Sequence, residues 1–286
     1  MIDFVLGPLQ YDIFVRSLLA VVIVGTVCAV VGTFVVLKGL AFIGDAISHA
    51  AFPGVVAAYI LGGSYVIGAA IAAVSTALAI RWITHRGGIR SDTAIGVLFA
   101  GMFALGIFLF STIRGYVGDL FGFLVGNVLA ISPTDLIALV VLASVTLLVI
   151  GVLWKELLYA TFDPHGAAAS GLNVERLEYL FLALVAFTIV ISLQAVGIIL
   201  VVAMLVTPPA AAQLLTVRFG RLVALAVAIS VGSSIVGLYL SFWMDVASGA
   251  TIVLTQSAAF LVALFVGPRR GLLARRVPVV TTAAAE

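Results

Sequence analysis

Asp45 and His49 stand four residues apart in the run Gly44-Asp45-Ala46-Ile47-Ser48-His49-Ala50-Ala51, inside a stretch that is otherwise apolar. On a helix, positions i and i+4 share a face, with Cβ atoms about 5–6 Å apart. A carboxylate and an imidazole at that spacing can both reach one divalent cation. A buried acid at membrane depth costs about 2.5–3.5 kcal/mol on insertion scales, which makes it a functional-site candidate by default, the alternative being a polar pair that fixes helix packing. No other acid is expected inside an apolar span. Ser48 is a possible further oxygen donor, more simply read as bonding locally. Gly44, Ala46, Ala50 and Ala51 are small enough to let the same helix of a second copy approach. Pro53-Gly54 offers a break or kink, a feature of helices that form transporter sites.

The elements that must position this pair are membrane helices. Hydrophobic residues make up 64% of the chain and charged residues 9%, with a mean hydropathy of +1.34. A soluble core of this length needs far less apolar surface. Apolar segments of about 20 residues, the span of a bilayer core, recur throughout. They predict helices over 12–37, 40–62, 65–84, 91–112, 133–155, 176–192, 195–217, 221–243 and 250–268. Only Gly63-Ser64 and Leu193-Gln194 split two of the pairs, so eight or nine spans are expected. Ser132-Pro133-Thr134-Asp135 supplies an N-cap, a proline at N1 and a first-turn acid. Ser91 and Asp92 are expected to act similarly before Ala94. The fold class is therefore all-α: a polytopic membrane helical bundle forming one transmembrane domain over 1–276, with a disordered tail expected at 277–286. No signal peptide is read at the N-terminus.

Charge sets the orientation. Alternating spans put Lys38, Arg81, Arg86, Arg90, Lys155, Arg176, Arg218, Arg221, Arg269, Arg270, Arg275 and Arg276 on one side, and only Arg16 and Arg114 on the other. The positive-inside rule makes the first side cytoplasmic, with the N-terminus outside. The net charge of +2 gives no reason to expect nucleic acid. The single Cys28 excludes a disulfide framework or thiolate metal site. No Gly-x-x-x-x-Gly-Lys-Ser/Thr run exists, so the chain cannot itself cradle nucleotide phosphates in the usual loop.

Two connecting segments differ from plain loops. Residues 113–131, on the outer side, are rich in Gly and Phe, with Gly118, Gly122 and Gly126 at four-residue spacing. They are expected to form a re-entrant or surface-lying helix. On the cytoplasmic side, 162–172 reads as a short independent helix: Asp163 is its N-cap, Pro164 its N1 residue and Gly171 its C′ residue. The small residues Gly166, Ala167 and Ala168 between them give a smooth surface suited to a groove in another protein. His85 and His165 have no ligand partner at useful spacing. Gln194, Gln213 and Gln256 are expected to bond between helices, and Thr207-Pro208-Pro209 to kink or hinge its helix.

These segments resemble a known family. Lys38-Gly39-Leu40-Ala41-Phe42-Ile43-Gly44-Asp45-Ala46-Ile47-Ser48-His49-Ala50, followed by Pro53-Gly54, resembles the signature of the ABC-type manganese/zinc/iron permeases. Asp92-Thr93-Ala94-Ile95-Gly96 resembles a second family segment, and Asp119-Leu120 with Gly126-Asn127-Val128-Leu129 a third. Phe162-Asp163-Pro164 with Gly171-Leu172 resembles the coupling loop. The similarity runs in order over about residues 12–268.

The resemblance implies a multi-pass permease in a prokaryotic inner membrane. It implies a second permease subunit, either an identical copy or a close paralogue. It also implies two copies of a cytoplasmic ATPase and an extracytoplasmic metal-binding protein that delivers the cargo. Asp45 and His49 of both permease subunits would form the metal site, and Asp163, Pro164, His165, Gly166, Ala167, Ala168 and Gly171 would contact the ATPase. The family usually carries an acid where this chain has His165, so no ion pair with the ATPase is expected there. The chain itself would be no enzyme and would hold no covalently bound cofactor.

Two Asp and two His make a mixed oxygen and nitrogen site, suited to Mn²⁺, Zn²⁺ or Fe²⁺ and unsuited to Cu⁺. Mn²⁺ is favoured, because a site without thiolate lacks the donors that hold Zn²⁺ most tightly and must also release its cargo. A secondary metal transporter would need inverted repeats and more acids in its spans. A membrane metalloenzyme would need three protein ligands where this chain offers two. A purely structural subunit would leave Asp45 and His49 replaceable.

Overall fold

The computed structural model describes residues 2–113 and 128–267, omitting the side chains of residues 2–5 and 130. Every regular element among them is helical. A short helix α1 (Ile2–Leu9) leads into α2 (Asp12–Leu37), α3 (Ile43–Ile60), α4 (Tyr65–Gly87) and α5 (Ser91–Ser111). After a 3₁₀ turn at Val128–Ala130 come α6 (Pro133–Val152), α7 (Trp154–Phe162), α8 (Pro164–Ala169), α9 (Val174–Val196), α10 (Ile198–Leu215), α11 (Phe219–Met244) and α12 (Ser248–Val266). Nine of these are long and apolar enough to cross a membrane.

Burial sorts the nine. The most apolar windows of α2 and α3 are 67% buried, whereas that of α5 is 17% and those of α6 and α12 are 22%. α2 and α3 are thus the centre of the bundle, and α5, α6 and α12 turn most of their surface outward. α3 packs on α4 and α5, and α2 packs on α10 and α11.

Both central crossings rely on missing side chains. A Cβ on Gly54 of α3 would lie 2.1 Å from the Gly68 carbonyl oxygen of α4, and one on Gly68 would lie 2.3 Å from the Gly54 oxygen. On the other side, a Cβ on Gly32 of α2 would lie 1.9 Å from the Leu205 oxygen of α10. That carbonyl is available because Pro209, four residues later, has no N–H to donate back to it. Thr207-Pro208-Pro209, expected to interrupt its helix, lies within the unbroken run of α10. The freed oxygen lies where a side chain on residue 32 would have to stand, so only glycine fits there.

Several local expectations hold. Ser132 and Asp135 form a reciprocal capping box: the Asp135 amide donates to Ser132 Oγ at 3.1 Å and the Ser132 amide to Asp135 Oδ2 at 3.2 Å. Gln194 Nε2 of α9 donates to Asp135 Oδ1 of α6 at 3.3 Å. The expected break at Leu193-Gln194 is not there: both residues lie inside α9, and the break falls on Gly197, whose φ of 84° a residue with a Cβ rarely adopts.

Others do not. Arg90, not Ser91 or Asp92, precedes α5 as its cap residue, with no side-chain cap bond. Helix α1 lies before the first expected span, in a segment too short to carry a periodic signal. The stretch 154–162, expected as a span end and loop, is the separate helix α7, set off at Leu153. Gln256 is fully buried in α12, with neither side-chain polar atom bonded to a described residue. The glycine spacing at 118–126, the Asp119-Leu120 and Gly126-Asn127 pairs and the tail after Arg276 lie outside the described residues.

Candidate functional site

Asp45 is the third residue of α3 and His49 lies one turn further. The pair therefore sits near the start of the helix rather than at its middle. An acid in a first turn lies beside the positive end of the helix dipole and its unpaired N–H groups. His49 Nε2 lies 3.4 Å from Asp45 Oδ1, so the i, i+4 spacing does bring the two groups together. Their side chains are 27% and 45% exposed on a helix whose other faces are packed. The pair thus opens onto a free face of the chain.

The imidazole is held from the side. Its ring stands edge-on to Phe99 and Phe103 of α5, with centroids 5.0 and 5.2 Å away. Those two phenylalanines are themselves i, i+4 and parallel, with a 1° angle between rings 6.2 Å apart. Such a wall restricts rotation of the imidazole and lowers the dielectric beside it. The spacing of Phe99 and Phe103 was visible in the sequence. Nothing in α3 indicated that α5 would pack there.

No third ligand joins from the same chain. Among the described residues no group of three His, Cys, Asp or Glu could hold a metal ion. Ser48 Oγ is fully buried and bonds to no described residue, so it adds no oxygen to the pair and makes no local hydrogen bond. His85 Nδ1 lies 4.0 Å from Glu175 Oε1, and His165 is exposed on α8. Neither approaches Asp45.

The second predicted site also takes shape. The Gly166 amide donates to Asp163 Oδ1 at 2.8 Å, which makes Asp163 the N-cap of α8, and Pro164 occupies the first position. At the other end Gly171 has a φ of 91°. The Leu172 amide returns to the Ala167 carbonyl at 3.1 Å and the Gly171 amide to Ala168 at 3.0 Å, closing the helix as a Schellman-type end. Ala167 is fully buried. Asp163, Pro164, His165, Ala168 and Gly171 are exposed, so they form a small, smooth, outward-facing surface.

The expectation that Asp45 is alone among acids inside the spans fails. Asp135 caps α6 from its first turn. Glu178, in the second turn of α9, is paired with both Lys38 and Arg81. Sequence spacing gives no sign of that cluster, because its members are contributed by three elements far apart in the chain.

Known proteins resemble this chain over nearly its whole length. Residues 10–267 match the model of the family described as the ABC 3 transport family. The chain is 47% identical over 267 residues to the manganese transport system membrane protein MntC of Halalkalibacterium halodurans, covering 93% of this chain and 91% of that protein. It is 40% identical over 276 residues to the chelated iron transport system membrane protein YfeC of Yersinia pestis, covering 96% and 94%. Among solved structures, PsaBC from Streptococcus pneumoniae in complex with Fab superimposes with a TM-score of 0.83 at 36% identity, covering 94% of this chain and 98% of that one. A match over nearly the whole chain, carried by nine apolar helices, makes this protein an integral membrane member of the ABC 3 transport family.

Proposed function

We propose that this chain is the membrane permease subunit of an ATP-driven importer of divalent metal, with Mn²⁺ as its principal cargo. The observation that carries the reading is the Asp45–His49 pair, 3.4 Å apart and partly exposed on an otherwise packed central helix. One chain offers two ligands, fewer than a transition ion takes from protein. A second permease copy bringing its own Asp45 and His49 would complete a mixed carboxylate and imidazole site, a donor set suited to Mn²⁺, Fe²⁺ or Zn²⁺. The 47% identity to a protein named for manganese transport supports the choice of cargo.

In this reading the Lys/Arg-rich end of the bundle faces the cytoplasm of a prokaryotic cell. The exposed surface of α8, from Asp163 to Gly171, seats in a groove of a cytoplasmic ATPase, two copies of which serve the permease pair. Hydrolysis belongs to those subunits and not to this chain. An extracytoplasmic binding protein presents the metal at the opposite end. The cation meets carboxylate and imidazole groups that replace part of its hydration shell, and the Phe99–Phe103 wall keeps His49 aimed at it. Release follows when movement of the helices separates the two half-sites.

The test is metal accumulation in cells lacking the gene, complemented with wild type, Asp45→Ala or His49→Ala. Both variants should reach the membrane normally and accumulate no manganese. Wild-type accumulation by either one refutes the site. Iron is a second reading, supported by the 40% identity to a protein named for chelated iron transport. A deletion strain short of iron or zinc, with manganese unchanged, overturns the manganese assignment.

A further inference from the structure

A cavity of about 290 Å³, walled by apolar side chains around a charged cluster, opens at the Lys/Arg-rich end of the bundle, between the two proposed functional segments. Ile43, two residues before Asp45, forms part of its wall, and Pro164, the first residue of α8, forms another part. Inside it Glu178 Oε1 lies 3.7 Å from Lys38 Nζ, and Glu178 Oε2 pairs with the Arg81 guanidinium. The three side chains are only 12–21% exposed. Burial pushes the Lys38 ammonium below its ordinary range, and the neighbouring Glu178 opposes that shift.

The positions of the three residues matter more than the pairing. Glu178 is in the second turn of α9, which follows α8 after residues 170–173. Lys38 caps the end of α2 and opens the connector 38–42 that starts α3. Arg81 belongs to α4, which is locked to α3 at the Gly54–Gly68 contact. Both cations therefore hold elements that lead directly to the Asp45 helix, and the carboxylate holds the element that leads to α8. Removing Glu178 leaves two partly buried cations uncompensated, and removing either cation leaves the carboxylate tied to one element instead of two, so the cluster moves as a unit or breaks at a cost. The cavity beside it gives those elements room to move.

We infer that the Lys38–Glu178–Arg81 cluster is the strut that passes a displacement of α8 to α3 and its Asp45–His49 pair. The inference rests on the transport reading above. Glu178, Lys38 and Arg81 are positioning residues: none reaches the cation, and each acts through the helix it holds.

The test uses the complete permease–ATPase complex in proteoliposomes, with Mn²⁺ uptake and ATP hydrolysis measured together. Glu178→Gln and Lys38→Met should leave assembly and hydrolysis in place and lower the metal moved per ATP by about 2- to 30-fold, the range coupling residues span. Lys38→Arg, which keeps the charge, should restore most of that ratio. Lys38→Met keeps the test open if Glu178→Gln does not assemble. A metal-to-ATP ratio equal to wild type in Lys38→Met, or an equal loss in Lys38→Arg and Lys38→Met, overturns the strut. Absence of ATP-dependent uptake by the wild-type complex overturns the transport reading itself, so the two failures are distinct.

Discussion

Gly54→Ala should loosen the whole of α3, which carries Asp45 and His49. The added Cβ would lie 2.1 Å from the Gly68 oxygen and 2.7 Å from the Ala72 Cβ, against an ordinary contact of at least 3.4 Å. Neither neighbour is the far end of a flexible side chain, so the helices themselves must separate by a little over 1 Å at that crossing. Overpacking of this kind costs about 1–3 kcal/mol. At about 2–4 °C per kcal/mol for chains approaching this size, the detergent-solubilised protein should lose several degrees of thermal stability. Gly54 is five residues from His49 on one rigid helix, and sites of this kind need their groups placed within about 0.5 Å. Manganese uptake should therefore fall more than folded protein does. Gly68→Ala should behave alike, because the contact is reciprocal, and the double variant should cost less than the two single losses added. Gly101→Ala and Gly232→Ala are the controls. They lie in α5 and α11 with no atom near the added methyl, so they should be neutral or slightly stabilising. Unchanged thermal stability and uptake in Gly54→Ala, measured beside those controls, would refute the reasoning.

Phe99→Leu combined with Phe103→Leu should weaken metal binding by about 10–100-fold, the usual effect of losing support around a ligand, while thermal stability changes less than in Gly54→Ala. Equilibrium binding of Mn²⁺ to the purified complex checks this, and unchanged affinity removes the wall from the site. Asp163→Ala removes the cap of α8, worth about 1 kcal/mol, and Ala168→Glu places a charge on its exposed surface. Both should reduce co-purification of the ATPase or uncouple hydrolysis from uptake, and intact transport in Ala168→Glu would move docking elsewhere. A cysteine at Gly87 should resist an impermeant thiol reagent in intact cells and one at Ser248 should react. Cys28, fully buried, contributes no background, and the reverse pattern overturns the orientation.

The amount of this protein that could be read from its residues followed from the range of the interactions involved. Each span is a local decision: about 20 apolar residues must satisfy their backbone internally, and a helix is the solution wherever they occur. All nine expected spans are accordingly helices, and the Ser132–Asp135 and Asp163–Gly166 caps, which span three residues each, appear as expected. Asp45 and His49 were legible for the same reason, since one turn of helix fixes their separation. What crosses between helices was not. The Phe99–Phe103 wall, the Gly32 contact on the Leu205 carbonyl and the Lys38–Glu178–Arg81 cluster all join residues whose approach depends on packing, which no periodicity records.

Glu178 is the instructive case. In sequence it sits beside Glu175 and Arg176 at a helix start, where acids are common because they complement the helix dipole, so it attracts no notice. In the structure it carries two cations from two other helices. An acid near a helix start serves the helix when its partners are local and serves the fold when they are not, and only the folded arrangement distinguishes the two. The same test separates Asp45, whose one described partner is on its own helix and whose carboxylate is 45% exposed. Glu178 has its charge matched within the chain, whereas Asp45 and His49 keep an open face, which is what the proposed shared metal site requires.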